Sequence, residues 1–324
     1  MALNGDLRIA AKTRARISRI AEQLHYYPQL NFDARRLAHR QTGRLLPMDM
    51  LGVVKVSTAN DDAFASFQMQ LVNGMQHGAY AVNQCLLVVN LPWNRRRFIE
   101  HLVQLDGVIL LAPEPEVVQL AQNLRKPIVT IQVEHPDLAD VRIDDRAAVR
   151  LAFEHLFVKG HRQIGWIGPS PHHYPSAERW AAYQECLVTH GLPVNPQQAL
   201  CEGELSMQLQ GGASFKRLWS HPDRPTAFVV YNDLMALSAL RAARELHVRV
   251  PEDVSFVAID DIPEASLSQP ALTTVSIGIE ELGHRAALLL EEFVRTGTYR
   301  AEKVQLENLE LKERGSVKPI ASPH

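Results

Sequence analysis

The chain has 324 residues, 46% apolar and 22% charged, an ordinary globular balance with room for about two domains. No apolar run approaches the roughly 18 residues of a membrane helix, and the first residues lack an apolar signal-peptide core. The three cysteines (Cys85, Cys186, Cys201) fit no metal or redox spacing, so a reducing, cytoplasmic setting is expected, with no cofactor and no membrane contact.

The net charge of −2 hides an asymmetry. Residues 1–44 hold nine Lys or Arg against three Asp or Glu, whereas the other 280 residues hold 25 against 33. A basic head on an acidic body suggests a polyanion-binding arm joined to a body with a separate task. Within the head, Ile17, Ile20, Ala21 and Leu24 recur at i, i+3, i+4 and i+7 and predict a helix, which Pro28 ends. Lys12, Arg14, Arg16 and Arg19 lie largely off its apolar stripe. A second short basic helix is predicted from about Asn31 to His39, capped by Asn31 or Asp33 and broken at Gly43. Two basic helices suit phosphate contacts. Charge alone favours a solvated face.

The body alternates. Strands are predicted at Leu51–Val56, Cys85–Val89, Gly107–Leu111, Pro127–Ile131, Ile164–Ile167, Ala227–Tyr231 and Val254–Ile259. They are short, mostly continuous apolar runs, as strands covered on both faces require. Helices are predicted between them, at about 65–80, 114–124, 146–158, 176–190, 207–219 and 232–246. Such alternation predicts an α/β fold with two doubly wound, Rossmann-like lobes. Neither GxGxxG nor GxxxxGK[ST] follows a strand, so dinucleotide and P-loop readings lose support.

Open α/β sheets bind ligands beyond the carboxyl ends of their strands. Gln132 follows PIVTI, Asn232 and Asp233 follow AFVVY, and Asp260 and Asp261 follow VSFVAI. Amides and carboxylates there suit a polar small molecule, although each residue alone could equally be a helix N-cap, Asp233 above all. The fourteen histidines include HPD at 135–137 and 221–223 and PHH at 171–173. None joins an HExxH, GxSxG or similar arrangement, so an enzyme is not expected.

Residues 232–275, NDLMALSALRAARELHVRVPEDVSFVAIDDIPEASLSQPALTTV, closely resemble the signature segment of the lactose/galactose-repressor family of bacterial transcription regulators. FEHLFVKGHRQIGWIGPS (153–170) resembles the family's strand-entry segment, and SAERWAAYQ (176–184) its effector-arginine helix. ALNGDLRIAAKTRARISRIAEQLHYYP is similar to the end of its DNA-binding headpiece, and VQLENLELKERGS to its final crossing strands. These segments cover most of the chain in the family's order.

The resemblance implies two periplasmic-binding-protein-like lobes joined by crossover strands, with effector in the cleft between them. It implies a headpiece remnant at 1–29, a hinge at 30–45, one lobe from 46–143 with 277–306, and a second from 144–276 with 307–318. By the same resemblance, Arg179, Asn232 and Asp260 contact the effector. Phe64 corresponds to the aromatic wall, in surroundings (DDAFASF) unlike the usual pattern, and Gln132 stands where some sugar-responsive members carry Asp. DNA contacts are implied at Asn4, Lys12, Arg14, Tyr26, Arg35 and Arg36, with Leu37 wedging the minor groove. The stretch from Pro28 to Leu37 is longer than usual. MALNGD matches near the end of the recognition helix, so about twenty headpiece residues that precede it in the family, and most of the base-reading side chains, are expected to be missing. The partners implied are operator DNA, a sugar-like effector and a second copy in a homodimer or tetramer. A solute-binding protein of a sugar transporter shares the fold and is the alternative.

Overall fold

The computed structural model describes residues 9–24, 49–57, 65–92, 102, 105–111, 115–123, 126–171, 173–195, 199–201 and 207–320. In the basic head, α1 (Ala11–Gln23) forms where the periodicity predicts it. Of its apolar stripe Ala21 is buried, while Ile20 and Leu24 remain exposed. The second basic helix predicted near 31–39 lies outside the described residues.

The body folds around two six-stranded sheets. The first begins with β1 (Met50–Ser57), α2 (Ala65–Ala81), β2 (Cys85–Pro92), β3 (Gly107–Leu111), α3 (Pro115–Asn123), β4 (Ile128–Ile131) and β5 (Ala139–Ile143). The chain then enters the second sheet through α4 (Asp145–Val158), β6 (Ile164–Gly168), α5 (Tyr174–Thr189), β7 (Ala199–Cys201), α6 (Met207–Trp219), β8 (Ala227–Val230), α7 (Asp233–Glu245), β9 (Ser255–Asp260), α8 (Pro263–Leu267) and β10 (Thr273–Ser276). It returns with α9 (Ile279–Thr296) and β11 (Lys303–Leu306), then leaves again for β12 (Glu310–Lys312). The orders are β11-β5-β4-β3-β1-β2 and β12-β10-β9-β8-β6-β7. Every pairing is parallel except β10 with β12. The chain thus passes between the sheets after β5, after β10 and after β11.

The apolar runs became the buried strands because both faces are covered. β3, β4, β8 and β9 are buried almost throughout. One continuous apolar cluster includes Leu51, Ile109 and Val129 of the first sheet and Trp166, Val229 and Ile259 of the second. On the other face of the second sheet, Phe215 of α6 packs on Phe228 and Phe256, whose rings stack at 5.5 Å. Each such side chain contributes about 1.5–3 kcal/mol on burial. α9 lies against α2 at a glycine crossing. A Cβ on Gly74 would stand 1.8 Å from the Glu280 carbonyl oxygen, and one on Gly283 would stand 2.1 Å from that of Leu71. Only hydrogen side chains let these backbones approach so closely.

Candidate ligand-binding site

The polar residues at the strand ends converge. Arg179, on the inward face of α5, is 4% exposed. Its Nε donates to Asp145 Oδ1 at 2.6 Å and its Nη1 to the Tyr231 carbonyl at 2.5 Å. Its Nη2 lies 3.6 Å from Asp260 Oδ1. Its guanidinium plane sits over the Tyr231 ring, 4.7 Å from the centroid. Asp145 opens α4, and its second oxygen accepts from Gln132 Nε2 at 3.0 Å. Gln132 Oε1 in turn accepts from the Ile143 amide at 2.9 Å. One polar chain therefore runs from the end of β4 through the helix starts of the second sheet to the end of β9.

Two of these residues hold left-handed backbones, Gln132 at φ 58° and Asp260 at φ 127°. Non-glycine residues at such angles cost about 1–3 kcal/mol each and concentrate at functional sites. Burial pushes the Asp260 carboxyl up to about 7, with the Asp145 charge adding to the shift and Arg179 opposing it. Burial likewise raises Asp145, against the pull of Arg179 and the Gln132 hydrogen bond. Burial works against the Arg179 charge, yet Asp145, Tyr231 and Asp260 outweigh it and raise its pKa. The guanidinium is thus a fixed cation among carboxyl groups that hold their protons more tightly than exposed ones do.

Asn232 is 2% exposed and is the N-cap of α7, its Oδ1 accepting from the Met235 amide at 3.0 Å. Asp233, a candidate for that cap on sequence, turns inward instead. It accepts from the Ile262 amide at 2.8 Å and the Thr274 hydroxyl at 2.5 Å, tying α7 to β10 and to the loop after β9. Burial, then the neighbouring Asp260, raises its pKa well above the usual range. Beside the cleft, Arg142 donates to Asp140 at 2.8 Å, Glu134 at 2.7 Å and the Val133 carbonyl at 3.0 Å, and stacks on the Tyr174 ring. This binds the loop after β4 to the start of α5.

The structure brings Arg179, Asp260 and Gln132 together through Asp145, and sets Asn232 directly after the Tyr231 carbonyl that holds Arg179. Phe64 lies outside the described residues, as do Asn4, Tyr26, Arg35, Arg36 and Leu37. Lys12 and Arg14 lie on α1, Lys12 exposed and Arg14 donating to the Ile9 carbonyl at 2.5 Å. Asp145 is the residue that sequence reasoning missed. Its signal is a doubled acid after a strand: Asp144 caps α4, accepting from the Ala147 amide at 2.8 Å, which leaves the second acid free to face inward. Among the described residues no group of three His, Cys, Asp or Glu is placed to hold a metal, and no helix is long and apolar enough to cross a membrane.

Residues 153–317 match the family model described as the periplasmic binding protein-like domain. The chain is 27% identical over 330 residues to the HTH-type transcriptional repressor CytR of Escherichia coli K12, covering 98% of this chain and 91% of that protein. The chain belongs to the LacI family of transcriptional regulators, on a periplasmic-binding-protein-like fold. Solved structures of transcriptional regulators share the fold. The transcriptional regulator CelR in complex with cellobiose is 25% identical, with a TM-score of 0.76 over 97% of this chain and 94% of CelR. A LacI-family regulator from Mycobacterium smegmatis is 28% identical, with a TM-score of 0.71 over 83% of this chain and 99% of that one. These LacI-family likenesses favour a regulator over both an enzyme and the solute-binding alternative.

Proposed function

We propose that this LacI-family regulator binds a small hydroxyl-rich effector between its lobes, and that occupancy changes its affinity for operator DNA. Arg179, Asn232 and Asp260 contact the effector from the lobe formed by 144–276 with 307–318. Gln132 and Phe64 contact it from the lobe formed by 46–143 with 277–306. The headpiece segment 1–29 and hinge 30–45 meet DNA through Asn4, Lys12, Arg14, Tyr26, Arg35, Arg36 and Leu37, in a homodimer or tetramer. The reading is carried by the Gln132–Asp145–Arg179–Asp260 chain, which spans both sheets at their carboxyl ends, where α/β folds bind ligands. A ligand gripping both ends of that chain biases the lobes' relative position, which is the differential contact allostery needs. The cellobiose in the CelR complex supports a sugar-like effector.

A thermal-shift screen of sugars, sugar derivatives and nucleosides on the full chain tests the site. Ligand at about a hundred times its Kd stabilises by about 2.7 kcal/mol. Arg179→Lys and Asp260→Asn are expected to remove most of that gain. They are preferred to alanine because they leave Asp145 a polar neighbour and avoid a naked buried charge. A cognate ligand that stabilises both variants as fully as the parent overturns the site. For DNA, phosphate contacts position a protein while base contacts specify. Footprinting at about 200 mM salt over excess random DNA reads out whether this chain recognises an operator by itself.

A further inference from the structure

We infer that Arg142 is a positioning residue: it holds the start of the helix that carries Arg179 against the first lobe, and serves as the bearing on which the lobes turn. The inference rests on the cleft being the effector site. Its first support is the way the guanidinium is held. Arg142 lies on β5 of the first lobe, its side chain 8% exposed. All three nitrogens donate within that lobe: Nε to Asp140 at 2.8 Å, Nη1 to Glu134 at 2.7 Å and Nη2 to the Val133 carbonyl at 3.0 Å. Asp140 is fixed in turn, accepting from the Thr130 hydroxyl at 2.7 Å and the Val133 amide at 3.0 Å. The first lobe therefore sets the orientation of the plane and leaves its faces for other contacts. One face lies over the Tyr174 ring, 4.4 Å from the centroid. Tyr174 opens α5 of the second lobe, on the same helix as Arg179. A planar cation on an aromatic face attracts without a directional hydrogen bond. The ring can slide over the plane as the lobes rotate, while the helix start stays pressed to the first lobe.

The second support is where this contact stands. β5 and β11 pair side by side, with Arg142 opposite Gln305, and they are the two strands from which the chain leaves the first sheet. Lobes joined by such passages turn about them, and points near the turning axis move least. The hydrogen bond from Ser66 of α2 to Glu264 of α8 lies elsewhere. α2 follows β1, three strands from β5 and roughly 14 Å across the sheet. Rotation breaks a hydrogen bond placed that far out, whereas a stacked contact beside the passages persists. Without the stack the lobes stay joined but are loosely set, so fewer molecules hold Arg179 where an effector needs it. Binding then slows at the association step, because the competent fraction has fallen.

The test reads lobe position first, with no ligand added. Spin labels at the exposed positions Glu116 of α3 and Ala213 of α6 report the distance between lobes in the full chain. Dilution with unlabelled chain isolates one labelled pair per assembly. Tyr174→Leu fills the space without an aromatic face and is expected to broaden the distance distribution. Tyr174→Phe keeps the face and is expected to match the parent. Arg142→Lys keeps a charge beside Asp140 but loses the plane, and is expected to broaden the distribution as Tyr174→Leu does. The double variant is expected to add little, since both changes remove one contact. Glucose, ribose and cellobiose are then followed by stopped flow. A sugar that binds is expected to associate about two- to thirtyfold more slowly with Tyr174→Leu, at an unchanged off-rate. An unbroadened distribution in Tyr174→Leu, or equal broadening in Tyr174→Phe, overturns the bearing. So does a faster off-rate at unchanged association. A sugar held equally well by Arg179→Lys overturns instead the site assignment, and binding of none of the three counts against these effectors. In both cases the ligand-free distances still decide the bearing.

Discussion

Asp260 is held where a carboxylate is costly, buried, at a left-handed φ and near two other acids. Its native pKa of about 7 lies above its ordinary 3.8. Between those values the native state keeps a proton that the unfolded chain has lost, so stability falls as pH rises through that window and levels off above it. Asp260→Asn mimics the protonated group and tolerates the same backbone. The effector-free variant is therefore expected to match the parent below pH 4, to gain on it through pH 4–7, and to stay ahead above. Denaturant melts across pH measure this, and a variant less stable than the parent at pH 8 contradicts it. At this scale the sequence pointed to residues at the carboxyl ends of strands, and Gln132, Asn232 and Asp260 lie within two residues of the ends of β4, β8 and β9. Asp145 was not legible, because an acid in the first turn of a helix already has a local explanation in the helix dipole. Its one signal, the doubled acid Asp144–Asp145 after β5, becomes informative only once Asp144 is seen to take the cap.

Among the elements, the α2–α9 pair makes the sharpest demand. The oxygen that a Gly74 Cβ would strike belongs to backbone, with the Glu280 carbonyl carbon at 2.6 Å behind it, so no side chain can turn aside. Gly74→Ala is expected to push the helices apart and destabilise by about 3 kcal/mol or more, at the upper end of overpacking effects, read as a lower denaturation midpoint at unchanged slope. A loss under about 0.5 kcal/mol would mean the helices slide freely, contrary to a close-packed interior. Two of the strands that pattern reading missed share a cause. β5 is interrupted by Asp140 and Arg142, which pair with each other and are further satisfied by Thr130, Val133 and Glu134. β10 reads Thr-Thr-Val-Ser, and its buried Thr274 is satisfied by Asp233. In each, long-range partners supply what the local apolar pattern lacks. β11 and β12 are half exposed and surfaced only through family resemblance. α9, with an apolar face over Leu282, Ala286, Leu289, Leu290 and Phe293, was legible by its period and was passed over.

For the molecule as a whole, the two lobes are coupled through polar contacts that include three among the described residues. Ser66 of α2 hydrogen-bonds Glu264 of α8 across the lobes, Gln132 reaches Asp145, and Arg142 stacks on Tyr174. The first lies on the exposed side, and neither of its residues is among those assigned to the effector. Glu264→Ala is expected to speed effector dissociation by about two- to tenfold, the equivalent of one hydrogen bond at 0.5–1.5 kcal/mol, while association changes little. Stopped-flow measurement decides it, and an unchanged off-rate would show that this contact does not help to hold the lobes together. The three passages of chain between the sheets carry a consequence for how the protein is made. When the ribosome has finished β5, the first sheet still lacks β11, and the intervening synthesis builds nearly all of the other lobe. The second sheet then waits for β12. Translation halted early, or a protease cutting at one point, therefore never yields one whole lobe by itself.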